Sequence, residues 1–263
     1  MNIRSMRSAD LPHIAAMLRT SFDQELRPYM TYTQPGVASF LKVSLDYPKL
    51  CAQRLHLVST DDDDVAVGYA EYVIGADGPD LLAYICVHEA YRGRGIATSL
   101  IGRCLESRGT SARVELDVFD NNTPALALYE GLGFVVGGER SWLRRQLPPC
   151  RSPIGCFPCV RCTCTWRRTA SMASRSFRCS GGRDVVRLGR IGPGVLRCYD
   201  ASSFADDDLL SRVRQVFPTL TEALLIADGA ELPPTGVGAE RIAHAIRLVA
   251  EGDSRNGRTE RRP

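Results

Sequence analysis

Residues Val87–Glu106 read VHEAYRGRGIATSLIGRCLE and contain a loop with two arginines and two glycines. The loop separates an apolar run that ends at Val87 from a second run that is more apolar than the loop. The run before the loop, LLAYICV, has the length of a buried strand, and the run after it has the length of a helix. A strand, a glycine-containing loop and a helix present backbone N–H groups at the positive end of the helix dipole. The stretch therefore predicts an anion site, with a simple tight turn as the alternative.

Strand and helix patterns alternate on both sides of this loop. Upstream, the sequence predicts a strand at 2–6, a helix, a second helix near 35–50, and the strands RLHLVS and VAVGYAEYVIG. Downstream, it predicts the strand RVELDVF, the helix TPALALYEGLG and a final strand pair, FVVGGER and SWLRRQL. The alternation indicates an α/β domain over 1–147, with a mixed central sheet flanked by helices.

The composition changes after this domain. Between Glu139 and Asp184 the sequence has ten arginines and no acidic residue, and six of the ten cysteines lie between 150 and 179. We therefore expect a Cys- and Arg-rich linker over 148–183. The patterns then resume with the strands VVRLGR, VLRCY and EALLIAD and with helices near 206–217 and 239–250, which predicts a second, small α/β domain over 184–252. The basic tail, 253–263, has the composition of a disordered segment.

The cysteine-rich stretch contains Cys156, Cys159, Cys162 and Cys164 in a C-x2-C-x2-C-x-C series. Two C-x2-C turns can supply thiolates to zinc or to an iron–sulfur cluster, but this spacing does not match a common zinc or ferredoxin pattern. The arginines could contact nucleic-acid phosphates, yet few aromatic residues accompany them. We expect no metal and no nucleic-acid partner, and a metal-bound nucleic-acid module is the alternative.

The bulk composition fits a soluble globular protein. The chain has 263 residues, of which 44% are hydrophobic and 24% charged, and its net charge is +3. The apolar run before the loop is too short to span a bilayer, and residues 1–21 lack the apolar centre of a signal peptide. We therefore expect a cytoplasmic protein without a membrane partner, and a homodimer is compatible with this composition.

The loop itself resembles that of a known family. It lacks the Gly-Lys-Ser/Thr of an ATP-binding phosphate loop and the three glycines of a dinucleotide fingerprint. Arg92, Gly95 and Ala97 instead give Arg-x-x-Gly-x-Ala, which resembles motif A of the GCN5-related N-acetyltransferases (GNAT), a family that binds acetyl-CoA. The stretch LDVFDNNTPALALYEGLGF is similar to that family's second signature, with matching residues at Asn122, Ala125, Tyr129, Glu130, Gly133 and Phe134. The resemblance covers about residues 1–147.

This resemblance implies an acetyl-CoA site without a metal. The pyrophosphate would lie on the backbone N–H groups of the loop, and the pantetheine arm would add to a strand edge exposed by a splayed sheet. Asn122 would hydrogen-bond the arm from the neighbouring strand end. The residues implied to bind the cosubstrate are Cys86, Val87, His88, Arg92, Gly93, Arg94, Gly95, Ile96, Ala97 and Asn122.

The resemblance also implies acetyl transfer to a primary amine by direct attack. Tyr129 would be the general acid that protonates the departing CoA thiolate. Glu71 is the candidate base, because a carboxylate among apolar neighbours is suited to accept a proton, although the alternating strand also allows Glu71 to face solvent. Residues 21–50 would select the acceptor, and a small amine and a protein N-terminus both fit. A catalytically inactive acyl-CoA-binding sensor is the alternative function.

Overall fold

A computed structural model describes residues 1–50, 52–76, 78–108, 113–149, 174–181, 184–229 and 231–250. The series from Cys156 to Cys164 and the basic tail lie outside these residues. Within the described ranges, no helix combines the length and the apolar character that crossing a membrane requires. The α/β class expected from the sequence is confirmed.

Contacts divide the chain into two compact units, and neither unit is one continuous stretch. Unit 1 comprises Met1–Met17, Ser44–Gly137 and the described residues from Ile246 onward. Unit 2 comprises Leu18–Val43 and Gly138–Ala245. The consecutive domain ranges suggested by composition stay predictions, because compactness alone does not show that a segment folds by itself.

Unit 1 is built on a mixed sheet. Its strands follow the order β1-β2-β3-β4-β5 and then the end of β11; β1 to β4 pair antiparallel, and β4 and β5 pair parallel. The elements that lie wholly or partly in unit 1 are β1 Asn2–Ser5, α1 Leu11–Thr20, α2 Val37–Asp46, β2 Arg54–Thr60, β3 Ala66–Val73, β4 Asp80–Val87, α3 Ile96–Arg108, β5 Val114–Phe119, α4 Thr123–Gly131, β6 Val135–Gln146 and β11 Glu240–Ala250.

The core of unit 1 depends on a close approach of α3 to the sheet. Ile96, Leu100 and Cys104 recur at helical spacing and are buried, so one face of α3 packs inward. Gly68 of β3 lies under this face: a Cβ there would be 2.7 Å from Ile96 Cγ2 and 3.3 Å from Leu100 Cδ1. The absence of a side chain at Gly68 therefore sets how closely α3 packs, and with it the position of the loop that precedes α3.

The strands of unit 2 follow the order β6-β10-β9-β8-β7. β9 and β10 run parallel, and the remaining pairs are antiparallel. Phe204, Leu210 and Leu225 are among the fully buried side chains of its core. The additional elements are β7 Ser174–Gly181, β8 Asp184–Ile191, β9 Val195–Cys198, α5 Ala201–Ala205, α6 Asp207–Val216 and β10 Glu222–Asp228. The helix predicted near 206–217 is confirmed as α6, and its Asp206 N-cap accepts from the Leu209 N–H at 2.9 Å.

Two predictions about the ends of the units are wrong. The expected strand pair FVVGGER and SWLRRQL is one strand, β6, because Gly137 and Gly138 have no positive φ and so form no tight turn. The helix expected near 239–250 is the strand β11. Its apolar residues also fit a helical stripe, but the end of β11 lies beside β5 in the unit 1 sheet, and this pairing overrides local propensity.

The expected linker over 148–183 contains regular structure near its end. β7, Ser174–Gly181, pairs along its whole length with β8, from Ser174↔Ile191 to Gly181↔Asp184. The expectation of an unstructured connector is therefore wrong for these residues. The reason is that backbone pairing with an ordered neighbour forms a strand even where the composition predicts a loop.

Candidate active site

The parallel strands β4 and β5 separate soon after they begin. Their ladder ends at the pair Leu81↔Glu115, whereas β4 continues to Val87 and keeps its pairing with β3 on the other side. The last six residues of β4, which include Cys86 and Val87, therefore have a β5-facing edge that is open to an added strand. An extended ligand with amide groups binds a sheet edge in this way.

A bulge lies where β4 leaves β5. Glu71 pairs with Tyr84 whereas Tyr72 pairs with Leu82, so Ala83 is an extra residue on β4. A bulge bends its strand and changes the direction of neighbouring side chains, and bulges are frequent beside active sites. The opened edge and the altered side-chain directions thus occur at the same place.

The loop after β4 needs glycine at two positions. Gly93 and Gly95 both have a φ of +74°, in the left-handed region that other residues rarely adopt. A Cβ on either glycine would meet no atom of the described chain within 4 Å, apart from its immediate neighbours. The open space lets a bulky anion approach the N–H groups that precede α3. The buried side chain of Ile96 anchors the start of α3, and Ala97 follows it.

Contacts within the protein brace this loop. Arg92 Nε donates to the Val87 carbonyl at 3.2 Å, and the Arg94 guanidinium lies 5.0 Å from the centroid of the Tyr91 ring. The Tyr91 hydroxyl in turn donates to Asp61 Oδ2 at 3.1 Å. Both loop arginines remain exposed, so the loop presents positive charge to solvent beside the two glycines.

The two remaining cosubstrate candidates are fixed at element ends. His88 follows β4; its N–H donates to the Val67 carbonyl at 2.9 Å, and its Nδ1 accepts from the Ala90 N–H at 3.3 Å. Asn122 caps α4, because its Oδ1 accepts from the Ala125 N–H at 3.4 Å. The structure thus places the predicted residues of β4 and the loop in one segment that runs from the sheet into α3, and it places Asn122 shortly after the end of β5.

Tyr129 is a core residue of α4. Its side chain is 6% exposed, and its ring meets that of Phe134 edge-on, with centroids 5.7 Å apart. Burial raises the pKa of Tyr129 to about 12. The hydroxyl therefore stays protonated at neutral pH, as a general acid requires.

Glu71 is buried and ion-paired, so the alternative in which it faces solvent is wrong. Its side chain is 0% exposed. The Arg54 guanidinium contacts Glu71 Oε1, and the Tyr69 hydroxyl donates to Oε2 at 3.0 Å. Sequence reasoning missed Arg54 and Tyr69; the only signal was that polar residues recur in two otherwise apolar strands.

The candidate acid and base lie on different faces of the sheet. Tyr72 shares a core cluster with Tyr129, and strand alternation places Glu71 on the opposite face from Tyr72. A ligand that lies in the gap between β4 and β5 can be contacted by side chains from both faces of the sheet. The assignments of Glu71 and Tyr129 as base and acid stay predictions.

A splayed parallel strand pair, a bulge and a glycine loop before a helix occur together around β4 and the loop that follows it. Residues 19–134 match the model of the Acetyltransferase (GNAT) family. This region is a GNAT domain. A curated relative, the mycothiol acetyltransferase of Rhodococcus jostii (strain RHA1), is 37% identical over 98 residues, which are 37% of this chain and 31% of the relative. The chain therefore spans less than a third of the length of this relative.

Solved structures extend the likeness to both units. A tandem GNAT protein from the clavulanic acid biosynthesis pathway aligns with a TM-score of 0.68 and 11% identity, over 96% of this chain and 98% of that one. A putative acetyltransferase from Pyrococcus horikoshii aligns with a TM-score of 0.58 and 14% identity, over 96% and 89%. At these identities the likeness shows the fold alone, which is a GNAT-like α/β fold.

Unit 2 has a comparable strand-to-helix junction with different chemistry. β9 is followed by Tyr199 and Asp200, without glycine, and then by α5. Asp200 Oδ1 accepts from the Ser203 N–H at 2.7 Å and from Ser202 Oγ at 2.6 Å. The carboxylate already occupies the start of α5, so this junction disfavours a phosphate, in contrast to the loop of the GNAT domain.

Proposed function

We propose that the protein is an acetyl-CoA-dependent N-acetyltransferase that acts on a primary amine. The observation that carries the proposal is the open edge of β4, which leads directly into the left-handed glycines Gly93 and Gly95 and the start of α3. The edge suits an extended amide-containing arm, and the loop suits a pyrophosphate. Both groups occur in acetyl-CoA, in this order.

The loop residues suit the pyrophosphate of acetyl-CoA, and the edge of β4 suits its pantetheine arm. The open space beside Gly93 and Gly95 leaves room for phosphate oxygens, and Arg92 and Arg94 add positive charge. The β5-facing edge at Cys86 and the residues around it would hold the pantetheine arm. Acetyl-CoA supplies the activated acetyl group, and no metal enters the proposal.

The reaction we propose is direct attack of the amine on the thioester. Glu71 accepts a proton from the acceptor ammonium, which leaves the neutral amine that attacks. Tyr129 donates its phenolic proton to the CoA sulfur as the C–S bond breaks, and the second proton that the amine nitrogen loses returns the tyrosinate to the phenol. The raised pKa of Tyr129 supports this role, because the hydroxyl keeps its proton at neutral pH. The gap between β4 and β5 would admit both side chains to the reacting atoms.

The acceptor stays open between a small primary amine and a protein N-terminus. One relative is named as an acetyltransferase, the mycothiol acetyltransferase, and the match covers 31% of that relative's length. This likeness supports the acyltransferase class and leaves the acceptor to experiment.

Calorimetric titration tests the binding site. We expect wild-type protein to bind acetyl-CoA and CoA with micromolar affinity, and Gly95→Glu to abolish binding, because a carboxylate would occupy the pyrophosphate position. Gly102→Glu is the matched control: it adds the same charge in α3, where a Cβ also meets no atom within 4 Å in the described chain. Equal loss of affinity in both variants, or no binding by folded wild-type protein, would remove the proposed function.

A second candidate is an acyl-CoA-binding sensor without turnover. The ion pair between Arg54 and Glu71 favours it, because Arg54 already contacts one oxygen of the carboxylate that would serve as the base. A sensor binds acetyl-CoA in the same titration but acetylates no amine. Multiple-turnover release of CoA in the presence of an amine would exclude this candidate.

A further inference from the structure

A chain of hydrogen bonds crosses one face of β2 and β3 in unit 1. Ser44 Oγ lies 2.5 Å from His56 Nε2, His56 Nδ1 lies 2.9 Å from the Tyr69 hydroxyl, and that hydroxyl donates to Glu71 Oε2 at 3.0 Å. Arg54 contacts the other oxygen of Glu71. The four side chains from Ser44 to Glu71 are all at most 7% exposed. We call these four residues the Ser44–Glu71 chain.

The chemistry of the groups fixes the direction of this chain. A phenol has one hydrogen, and Tyr69 gives it to Glu71, so His56 donates from Nδ1 to Tyr69 and accepts at Nε2 from Ser44. Burial lowers the pKa of His56, which keeps the imidazole neutral, as this arrangement requires. Every hydrogen of the Ser44–Glu71 chain therefore points toward the Glu71 carboxylate.

The Ser44–Glu71 chain ends where the proposed chemistry takes place. Glu71 pairs with Tyr84 at the bulge, and Tyr69 pairs with Cys86, whose strand edge would hold the pantetheine arm. The other end, Ser44, belongs to α2, within the segment expected to select the acceptor. The chain thus joins the expected acceptor segment to the candidate base.

We propose that Tyr69 and His56 are positioning residues for amine acetylation, which hold the Glu71 carboxylate in the orientation that accepts the proton of the acceptor ammonium. This inference rests on the proposed function. One N–H bond of the ammonium breaks and one O–H bond forms on Glu71, while the nitrogen keeps the electron pair that attacks the thioester. Tyr69 and Arg54 each donate to one carboxylate oxygen, and these two contacts fix the orientation of the carboxylate.

His56 is hydrogen-bonded to Tyr69, which in turn donates to Glu71. Its N–H to the Tyr69 oxygen keeps the phenol turned toward Glu71, and the two rings lie nearly parallel, 16° apart. The groups that face Glu71 include Arg54 from β2, Tyr69 from β3 and Tyr84 from β4. The groups that face His56 include Ser44 from α2, Tyr69 from β3, and the charged side chains of Glu71 and Arg54.

The test compares Tyr69→Phe, Glu71→Gln and the double variant in full-length protein. Turnover is followed as thiol release from acetyl-CoA with the best amine from a panel of small primary amines and unblocked peptides, across a range of pH. We expect Tyr69→Phe to lower kcat about tenfold, within the range of acid–base effects. We expect an unchanged Kd for acetyl-CoA and an acidic limb of the pH–kcat profile that moves to higher pH, because the carboxylate loses a donor. In the Glu71→Gln background the same change should have no further effect.

Ser211→Ala is the control. Ser211 is a buried residue of unit 2, outside the expected acceptor segment, whose Oγ donates to the Pro149 carbonyl at 3.2 Å, so a hydroxyl is likewise removed from a buried hydrogen bond. Its kcat and pH profile should remain those of the wild type. Ser44→Ala, at the far end of the chain, is a second variant that keeps the proposal testable if Tyr69→Phe does not fold; its acidic limb should move in the same direction.

The outcomes separate this inference from the proposed function. A wild-type protein that turns over an amine, together with an unshifted pH profile in Tyr69→Phe or losses that add in the double variant, would overturn the inference alone. A wild-type protein that binds acetyl-CoA but acetylates none of the amines would overturn the proposed function, and the inference with it.

Discussion

Arg247 Nη2 donates to Asp117 Oδ2 at 2.8 Å, and the same guanidinium also contacts Asp117 Oδ1 and Glu115. Asp117 and Glu115 lie in β5, so a side chain 130 residues later in sequence holds the strand next to the candidate site. Leu248, one residue further along β11, is 1% exposed in the core of unit 1. The last residues of β11 are therefore part of unit 1 in packing as well as in pairing.

Replacing this arginine should weaken unit 1. We expect Arg247→Ala to lower the free energy of unfolding by about 1–2 kcal/mol, since a two-pronged pair with a partly buried guanidinium is lost. Arg241→Ala, at an exposed position of the same strand, should change it by about 0.5 kcal/mol or less. Urea denaturation of both variants measures the difference, and equal effects would show that the contacts with β5 contribute nothing.

Gly95 and Gly102 should respond oppositely to alanine. Gly95→Ala places a side chain at a φ of +74°, which strains the backbone by about 1–2 kcal/mol, and we expect about tenfold weaker binding of acetyl-CoA. Gly102→Ala lies inside α3 with open space around its Cβ, and it should raise the free energy of unfolding by about 0.5–1 kcal/mol with unchanged binding. Calorimetry and thermal unfolding of the two variants test this, and a loss of binding in Gly102→Ala would contradict it.

Tyr129→Phe should separate catalysis from binding. We expect kcat to fall about 100-fold or more, with little change in the Kd of acetyl-CoA, because the variant loses a proton donor and keeps the ring. In the wild type the pKa of Tyr129 is raised to about 12, so ionisation of Tyr129 should not lower kcat below about pH 11. Steady-state kinetics across pH checks both statements; full activity of the variant would exclude Tyr129 as the acid.

His56 should make folding sensitive to mild acid. Its pKa in the folded protein is lowered from 6.5 by burial, so below about pH 6.5 the unfolded chain binds a proton that the folded chain does not. Stability is then complete above pH 6.5 and falls as pH decreases toward the folded pKa, by up to about 1.4 kcal/mol per pH unit. His56→Gln should flatten this dependence, whereas His13→Gln, at an exposed position, should preserve it. Denaturant unfolding at several pH values between about 5 and 8 decides the point; parallel curves for all three proteins would refute it.

The chain should bind one molecule of acetyl-CoA although its fold matches a tandem GNAT protein. Only the loop of the GNAT domain has left-handed glycines before a helix of eight or more residues in the described chain, and Asp200 places a carboxylate at the corresponding junction of unit 2. Calorimetry should give a stoichiometry near one. A second binding event that persists in Gly95→Glu would show that unit 2 also binds the cosubstrate.

The sequence predicted those features of the site that depend on residues adjacent in the chain. The strand, glycine loop and helix around Gly93 and Gly95 follow from a contiguous pattern, and the structure confirms each of these elements. The partners of Glu71 were not predicted, because Arg54 and Tyr69 meet it across strand pairs and through side-chain direction, and a single sequence does not show register.

The wrong secondary-structure predictions for β7 and β11, in the second half of the chain, have a shared cause. β11 carries apolar residues that fit a helix, and β7 lies in a stretch whose composition predicts a loop, yet both are strands because a neighbouring strand is present. Such pairing joins residues far apart in the chain, so local periodicity does not report it. Gly137 and Gly138 gave the opposite error. Two adjacent glycines predict a turn between two strands, but here both glycines lie inside the single strand β6.

Because unit 1 is made of three separate stretches of the chain, it is completed late during protein synthesis. The strands β1 to β5 leave the ribosome early, but the residues that complete their sheet, from Ile246 to Ala250, are made only after the whole of unit 2. Until then the side of β5 that Arg247 and Leu248 later cover is exposed to solvent and to other nascent chains. The proposed acetyl-CoA site of a newly made molecule is thus expected to mature last, although most of its residues are translated first.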